Sequence, residues 1–312
     1  MRHLLTLLDL DRSEIMHLIK LSKVLKWERY EGYLRSNLRG KVVGLLFEKP
    51  STRTRVSIEV AVRELGGSTL YMRGDELQLV RGEPIKDTAR VLSRYIHCLF
   101  ARVKLHETLI EFTKYSSIPI VNALSDLFHP LQALADLMTI EEHFKSFNRV
   151  GRVVFVGDGG SNVCHSLMIA CVKVGIDYVV ACPEEYRPCS FVLELAREEA
   201  KETGARIEIV PDPFTAVKDA DVIYTDVLVS MGQEHERSTR LRAFLPKYQV
   251  NRELLRAIGH NNYVFMHCLP AMRGEEVTDE VIEDNVHSLV FKQAENRLHT
   301  TKAVLLWLVG AK

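Results

Sequence analysis

The sequence predicts an α/β protein of two domains, each a mostly parallel sheet flanked by helices on both faces. Three observations lead there. Short β-branched runs alternate with amphipathic stretches along most of the chain, the pattern of strand–helix–strand units packed into parallel sheets. The chain has 312 residues, and a domain ordinarily holds roughly 150. The alternation pauses once near the middle, which offers a place for two domains to meet.

Residues 41–47 (KVVGLLF), 96–101 (IHCLFA) and 118–121 (IPIV) read as buried strands of the first domain. Each is apolar and too short for a stable helix. Residues 55–65 and 86–95 carry helical spacing between them, and 131–144 reads as a long helix followed by the polar connector 145–151. The pause at that helix predicts a first domain over 1–134 and a second over 135–289, with a last helix, about 290–312, completing the first. In the second domain, 152–156 (RVVFV), 178–181, 206–210, 222–225 and 263–266 read as strands, with helices at 166–174 and 191–203.

Composition narrows function. Lys+Arg and Asp+Glu are each 41, so the net charge is zero and no basic excess exists to bind nucleic acid. No apolar run approaches the roughly 18–20 residues that cross a bilayer. The opening MRHLLTLLDLDRSE meets Asp9 and Asp11 too early for a signal-peptide core. Six scattered cysteines form no C-x-x-C pair, and the twelve histidines include no H-E-x-x-H. A cytoplasmic enzyme or binding protein without a metal or cofactor is the expectation.

The strongest chemical signal is FEKPSTRTR at 47–55, between a buried strand and a helix. A helix start presents unpaired N–H groups and a partial positive charge, so it favours an anion. Ser51, Thr52 and Thr54 add hydroxyls, and Arg53 adds a guanidinium fork suited to phosphate. An ordinary Ser/Thr cap with solvated arginines is the plainer alternative, but arginine is disfavoured at the positive end of a helix unless an anion compensates. Arg102 follows a strand, at the edge where open α/β sheets bind ligands. Pro130 suits a first helical position, which puts His129 just outside a helix and Gln132 in its first turn.

The turn GDGGSN at 157–162 suggests a dinucleotide loop, yet Asn162 stands where G-x-G-x-x-G needs its third glycine. Asn162 near a helix start suits a carboxylate equally well. Thr225-Asp226, Ser230-Met231-Gly232 and His267-Cys268-Leu269-Pro270 place a carboxylate, a hydroxyl and a thiol after later strands, a set that fits a cationic amino acid. Cys268 alone reads as a buried small hydrophobe, and Arg297 alone as a surface helix residue.

Together, STRT at 51–54, HPLQ at 129–132, DVLVSMGQE at 226–234, FMHCLPA at 265–271 and AENR at 294–297 resemble the ornithine carbamoyltransferases of the aspartate/ornithine carbamoyltransferase family. Order and spacing match over essentially the whole chain. The resemblance implies that the first domain binds carbamoyl phosphate through Ser51, Thr52, Arg53, Thr54, Arg102, His129, Gln132 and Arg297. Within that set His129 and Arg102 would meet the carbonyl oxygen, and Gln132 the carbamoyl amine. It implies that Gln78 reaches a neighbouring subunit's site in a homotrimer or a multiple of trimers. In the second domain Asn162, Asp226, Ser230 and Met231 would hold the α-groups of L-ornithine, with Cys268 and the Leu269 carbonyl facing the reacting amine. The implied products are citrulline and phosphate, in arginine metabolism. The chain departs from the family's habit at Leu228, where an aromatic is common, and at Leu79-Val80-Arg81, where a glycine often follows the apolar residue. Putrescine, acetylornithine or aspartate as acceptor, and more remotely a nucleotide-binding dehydrogenase, are the competing readings.

Overall fold

The computed structural model describes residues 1–230 and 232–310. They divide into two compact units, 1–138 with 295–310 of the described residues, and 139–294. In chain order the elements are α1 (Arg12–Tyr30), β1 (Val42–Phe47), α2 (Thr52–Glu64), β2 (Ser68–Arg73), α3 (Ile85–Tyr95), β3 (Cys98–Arg102), α4 (His106–Tyr115), β4 (Ile120–Leu124) and α5 (Pro130–Phe144). There follow β5 (Arg152–Val156), α6 (Asn162–Val174), β6 (Asp177–Ala181), α7 (Ser190–Thr203), β7 (Ile207–Val210), α8 (Pro213–Ala216) and β8 (Val222–Thr225). The last are α9 (Arg237–Phe244), α10 (Arg252–Arg256), β9 (Val264–His267), α11 (Asp279–Ile282) and α12 (Val290–Leu308).

The first unit holds a four-stranded sheet in the order β2-β1-β3-β4, the second a five-stranded sheet in the order β7-β6-β5-β8-β9. All pairings between these strands are parallel. The buried strands read from apolar runs are present because both faces of a parallel sheet are covered, which leaves no polar alternation to see. Leu46, Leu99, Phe112 and Ile120 build the first core, and Val154, Ile223, Phe244 and Phe265 the second. Burying each such side chain contributes about 1.5–3 kcal/mol.

Some elements lie outside the sequence expectation. β2 is an edge strand in which only Met72 is buried, so it carries no apolar run. α1 and α4 are further helices. In α1 the buried residues Ile15, Leu18, Ile19, Ser22 and Leu25 recur at helical spacing, and Asp11 and Glu14 form a capping box. The far part of α12 is tied to the first unit by polar contacts. Lys302 pairs with Glu64 of α2, and Lys26 of α1 donates to Asn296 Oδ1 at 2.8 Å.

Each sheet reverses its order once. In the first unit the reversal lies between β1 and β3, and in the second between β5 and β8. Crossovers leave in opposite directions there, opening a crevice beyond the carboxyl ends of the strands.

Candidate active site

The crevice of the first unit collects positive charge. β1 ends at Phe47, and α2 begins at Thr52 with Ser51 as its N-cap in extended conformation. The Ser51 hydroxyl makes no cap bond, so it leaves helix-start N–H groups for another acceptor. Ser51 and Arg53 are half-buried, Thr52 is exposed and Thr54 is buried. Arg55 belongs to the helix rather than the crevice: it pairs with Glu59 at 2.8 Å and lies 3.6 Å over the Tyr71 ring.

Arg102 ends β3, where the register against β4 slips between Ala101 and Arg102. A slip of this kind re-aims the side chain that follows it. Arg102 is 5% exposed, and its Nε has no hydrogen-bond partner among the described residues. Burial, then the guanidinium charges of Arg297 and Arg53, push its pKa down to about 10. An arginine is ordinarily protonated beyond pH 12 or so; an anion among these three groups would remove the repulsion.

Arg297, on α12, binds the set together. Its Nη1 donates to Gln132 Oε1 at 2.6 Å and its Nη2 to Thr54 Oγ1 at 3.2 Å. Gln132 in turn donates through Nε2 to Asp136 Oδ1 at 2.8 Å, which fixes which end of the amide faces which neighbour. His129 precedes α5, and Arg297 Nη1 lies 3.5 Å from its Nε2. Burial, then the charges of Arg297 and Arg102, hold the His129 imidazole well below the usual histidine range. The ring is therefore neutral near pH 7. A guanidinium only donates, so this contact puts the ring's lone pair on Nε2 and its N–H on Nδ1. Gln78 stands apart from this cluster, exposed at the start of a short turn.

The second unit gathers a different set. Asn162 opens α6 behind the Ser161 cap, whose hydroxyl accepts from Cys164 N–H at 3.1 Å. The preceding turn needs glycine at 159, because a Cβ there would lie 2.7 Å from the Tyr186 carbonyl oxygen. Asp226 follows β8 and Cys268 follows β9. The Cys268 thiol donates to Asp226 Oδ1 at 3.0 Å, and Val227 N–H donates to the same oxygen at 2.8 Å. Burial pushes the Asp226 carboxyl above its ordinary range despite those bonds. Ser230 N–H donates to Gln233 Oε1 at 3.0 Å; Met231 lies outside the described residues. Leu269 adopts a left-handed backbone with φ 58°, and its N–H donates to His267 Nδ1 at 2.8 Å. Asp226, His267 and Cys268 bring potential metal-ligand atoms within 4.8 Å of one another. His267 is already engaged through both nitrogens, since Nε2 meets Glu276 Oε1 at 3.1 Å.

Sequence reading had not singled out Asp136, Asp158, Arg240 or Glu276. Arg240 pairs with Asp158 in the 157–162 turn and donates through Nε to the Leu228 carbonyl at 2.6 Å. Leu228 itself is 1% exposed and belongs to the second core. Asp158 and Arg240 lie 82 residues apart, so no local pattern announces that pair.

Comparison with known proteins agrees with both halves. Residues 2–142 match the aspartate/ornithine carbamoyltransferase carbamoyl-P binding domain, and residues 151–308 the Asp/Orn binding domain. An ornithine carbamoyltransferase from Archaeoglobus fulgidus is 53% identical over 310 residues, covering 99% of this chain and 98% of that protein. One from Pyrococcus furiosus, described as anabolic, is 52% identical, covering 99% and 96%. Among solved structures, ornithine carbamoyltransferase from Pyrococcus furiosus superposes with a TM-score of 0.94 at 51% identity, covering 100% of this chain and 98% of that one. The anabolic ornithine carbamoyltransferase from Campylobacter jejuni gives 0.91 at 40%, covering 99% of each chain. Among the described residues, no helix is long and apolar enough to cross a membrane. With family models covering both halves and relatives above half identity over nearly its full length, the chain belongs to the aspartate/ornithine carbamoyltransferase family, among its ornithine carbamoyltransferases.

Proposed function

We propose that this chain transfers the carbamoyl group of carbamoyl phosphate to the δ-amine of L-ornithine, giving L-citrulline and phosphate. The observation that carries the reading is Arg102, a buried guanidinium depressed by burial and by two further guanidiniums beside the open start of α2. That concentration of positive charge suits a multiply charged anion. Ser51, Thr52, Arg53, Thr54 and Arg297 receive the phosphate, and Arg102 spans phosphate and carbonyl oxygen. The neutral His129 donates its N–H to the carbonyl oxygen. Gln132 Oε1, which already accepts from Arg297, has a second lone pair for the carbamoyl NH₂.

In the step itself the δ-nitrogen forms a bond to the carbonyl carbon. The C–O bond to phosphate breaks with its electron pair on oxygen, and the nitrogen sheds a proton that the leaving phosphate can take up. The amine must be neutral to attack. With a lysine-like pKa of about 10.4, reaching the neutral form at pH 7.5 costs about 4 kcal/mol. Asp226, beside Cys268, would by its charge favour the ammonium form, so the site selects the minor neutral amine instead of using a strong base. Asn162, Asp226, Ser230 and Met231 hold the α-groups, while Cys268 and the Leu269 carbonyl orient the δ-amine. A buried Asp226 disfavours the acidic acceptor aspartate, since a second carboxylate beside it would face like charge.

Gln78, exposed on its turn, supports a homotrimer in which it completes a neighbour's site. All six cysteines are free, in keeping with a reducing cytoplasm, and the anabolic relatives favour arginine biosynthesis. The deciding measurement is citrulline formation by the purified protein, with aspartate, putrescine and acetylornithine as rival acceptors. Arg53→Ala should abolish carbamoyl-phosphate binding in a folded protein; near-normal turnover would reject the phosphate cage.

A further inference from the structure

His129 sits on the loop between β4 and α5. A neutral imidazole directs a single N–H, so its usefulness depends on how firmly that loop is held. The loop has its own anchor. Asn122 of β4 is fully buried, and its Nδ2 lies 2.9 Å from the Leu5 carbonyl, 3.1 Å from the Phe128 carbonyl and 3.2 Å from Ser125 Oγ. Ser125 and Phe128 close on each other, with Ser125 N–H donating to the Phe128 carbonyl at 3.0 Å. The His106 ring meets Ser125 Oγ through Nδ1 at 2.9 Å and packs edge-on against Phe128 at 5.1 Å. The carbonyl held by Asn122 belongs to the residue immediately before His129.

We propose that Asn122 is a positioning residue for the transfer: its amide pins the Phe128 carbonyl and so sets the direction of the His129 imidazole. This rests on the reading of His129 as the donor to the carbonyl oxygen. The orientation of the amide is fixed by its neighbours, because two carbonyl oxygens demand the NH₂ end. Asn122→Asp keeps the shape but sets carboxylate oxygens against those carbonyls. Ser125→Ala removes only one strand of the knot.

The test compares Asn122→Asp and Ser125→Ala in the full chain, each alone and combined with His129→Ala. The readouts are kcat and the inhibition constant of inorganic phosphate. If Asn122 acts through His129, Asn122→Asp lowers kcat at least tenfold and Ser125→Ala about threefold. Phosphate inhibition should stay within twofold, because the cage built on α2, β3 and α12 does not use this loop. On the His129→Ala background neither change should lower kcat further, since coupled residues are not additive. Should Asn122→Asp fail to fold, Ser125→Ala carries the same cycle. Unchanged kcat, phosphate inhibition weakening in step with kcat, or a full additive loss on the His129→Ala background would overturn the proposal. Full kcat in His129→Ala alone would instead overturn the reading of His129 on which it stands.

Discussion

Arg102 shows how far one side chain can be pushed when its neighbours share its charge. Its depression to about 10 reflects burial first and two guanidiniums second, so an anion placed among the three groups would relieve their repulsion. Arg102→Lys keeps the charge but loses the planar fork that can hold phosphate and carbonyl oxygens together. A lost donor at such a site is worth about 3 to 4 kcal/mol. Steady-state assays should therefore show kcat falling roughly a hundredfold or more, and a loss below threefold would contradict a role at the carbonyl. His129 enters this pH range already neutral, so its titration leaves the profile above pH 7 alone. The amine governs there: kcat/KM for ornithine should rise from pH 6.5 toward 9. A flat profile, with chemistry shown to be rate-limiting, would count against selection of the neutral amine.

Among the elements, α2 begins without the cap bond its serine could make. A serine cap usually stabilises a helix by about 1 kcal/mol through its side chain, but Ser51 makes no such bond. Ser51→Ala should thus leave thermal stability almost unchanged while raising KM for carbamoyl phosphate about tenfold. A clear fall in melting temperature with unaltered KM would show that the hydroxyl serves the helix after all. β3 makes a complementary point. Its register slip at Arg102 is invisible in the run IHCLFA, because the apolar pattern is the same with or without it. α12 contributes to both units, and Arg297 is useful only because the helix brings it back to Thr54 and Gln132.

Across the molecule, buried histidines make stability depend on pH. His106, His129 and His299 are all lowered, chiefly by burial, and His299 is pushed down to about 4. Unfolded, each would take up a proton near pH 6.5. From there down to about 4 the unfolded chain binds more protons than the folded one, so stability falls as pH falls. The raised carboxyls of Asp158 and Asp226 act in the opposite sense. Urea midpoints measured at pH 7.5, 6 and 5 should decline in that order, and His299→Gln should flatten the decline. A decline that His299→Gln leaves unchanged would refute the histidine account.

The sequence by itself determined the two parallel-sheet units and most of their strands, because strands covered on both faces must be apolar throughout. It also marked Ser51 to Thr54, and Arg102 and His129 with Gln132 at strand and helix ends, while Cys268 alone reads as a small buried hydrophobe. Arg297 looks like an ordinary surface arginine in the chain. Only the tertiary structure decided that Arg102 and Arg297 are buried together, that His129 is neutral, and that Asp226 accepts from the Cys268 thiol. Those properties come from charges and burial contributed by segments as much as 243 residues apart, the separation between Thr54 and Arg297, and a local pattern carries no record of such distances.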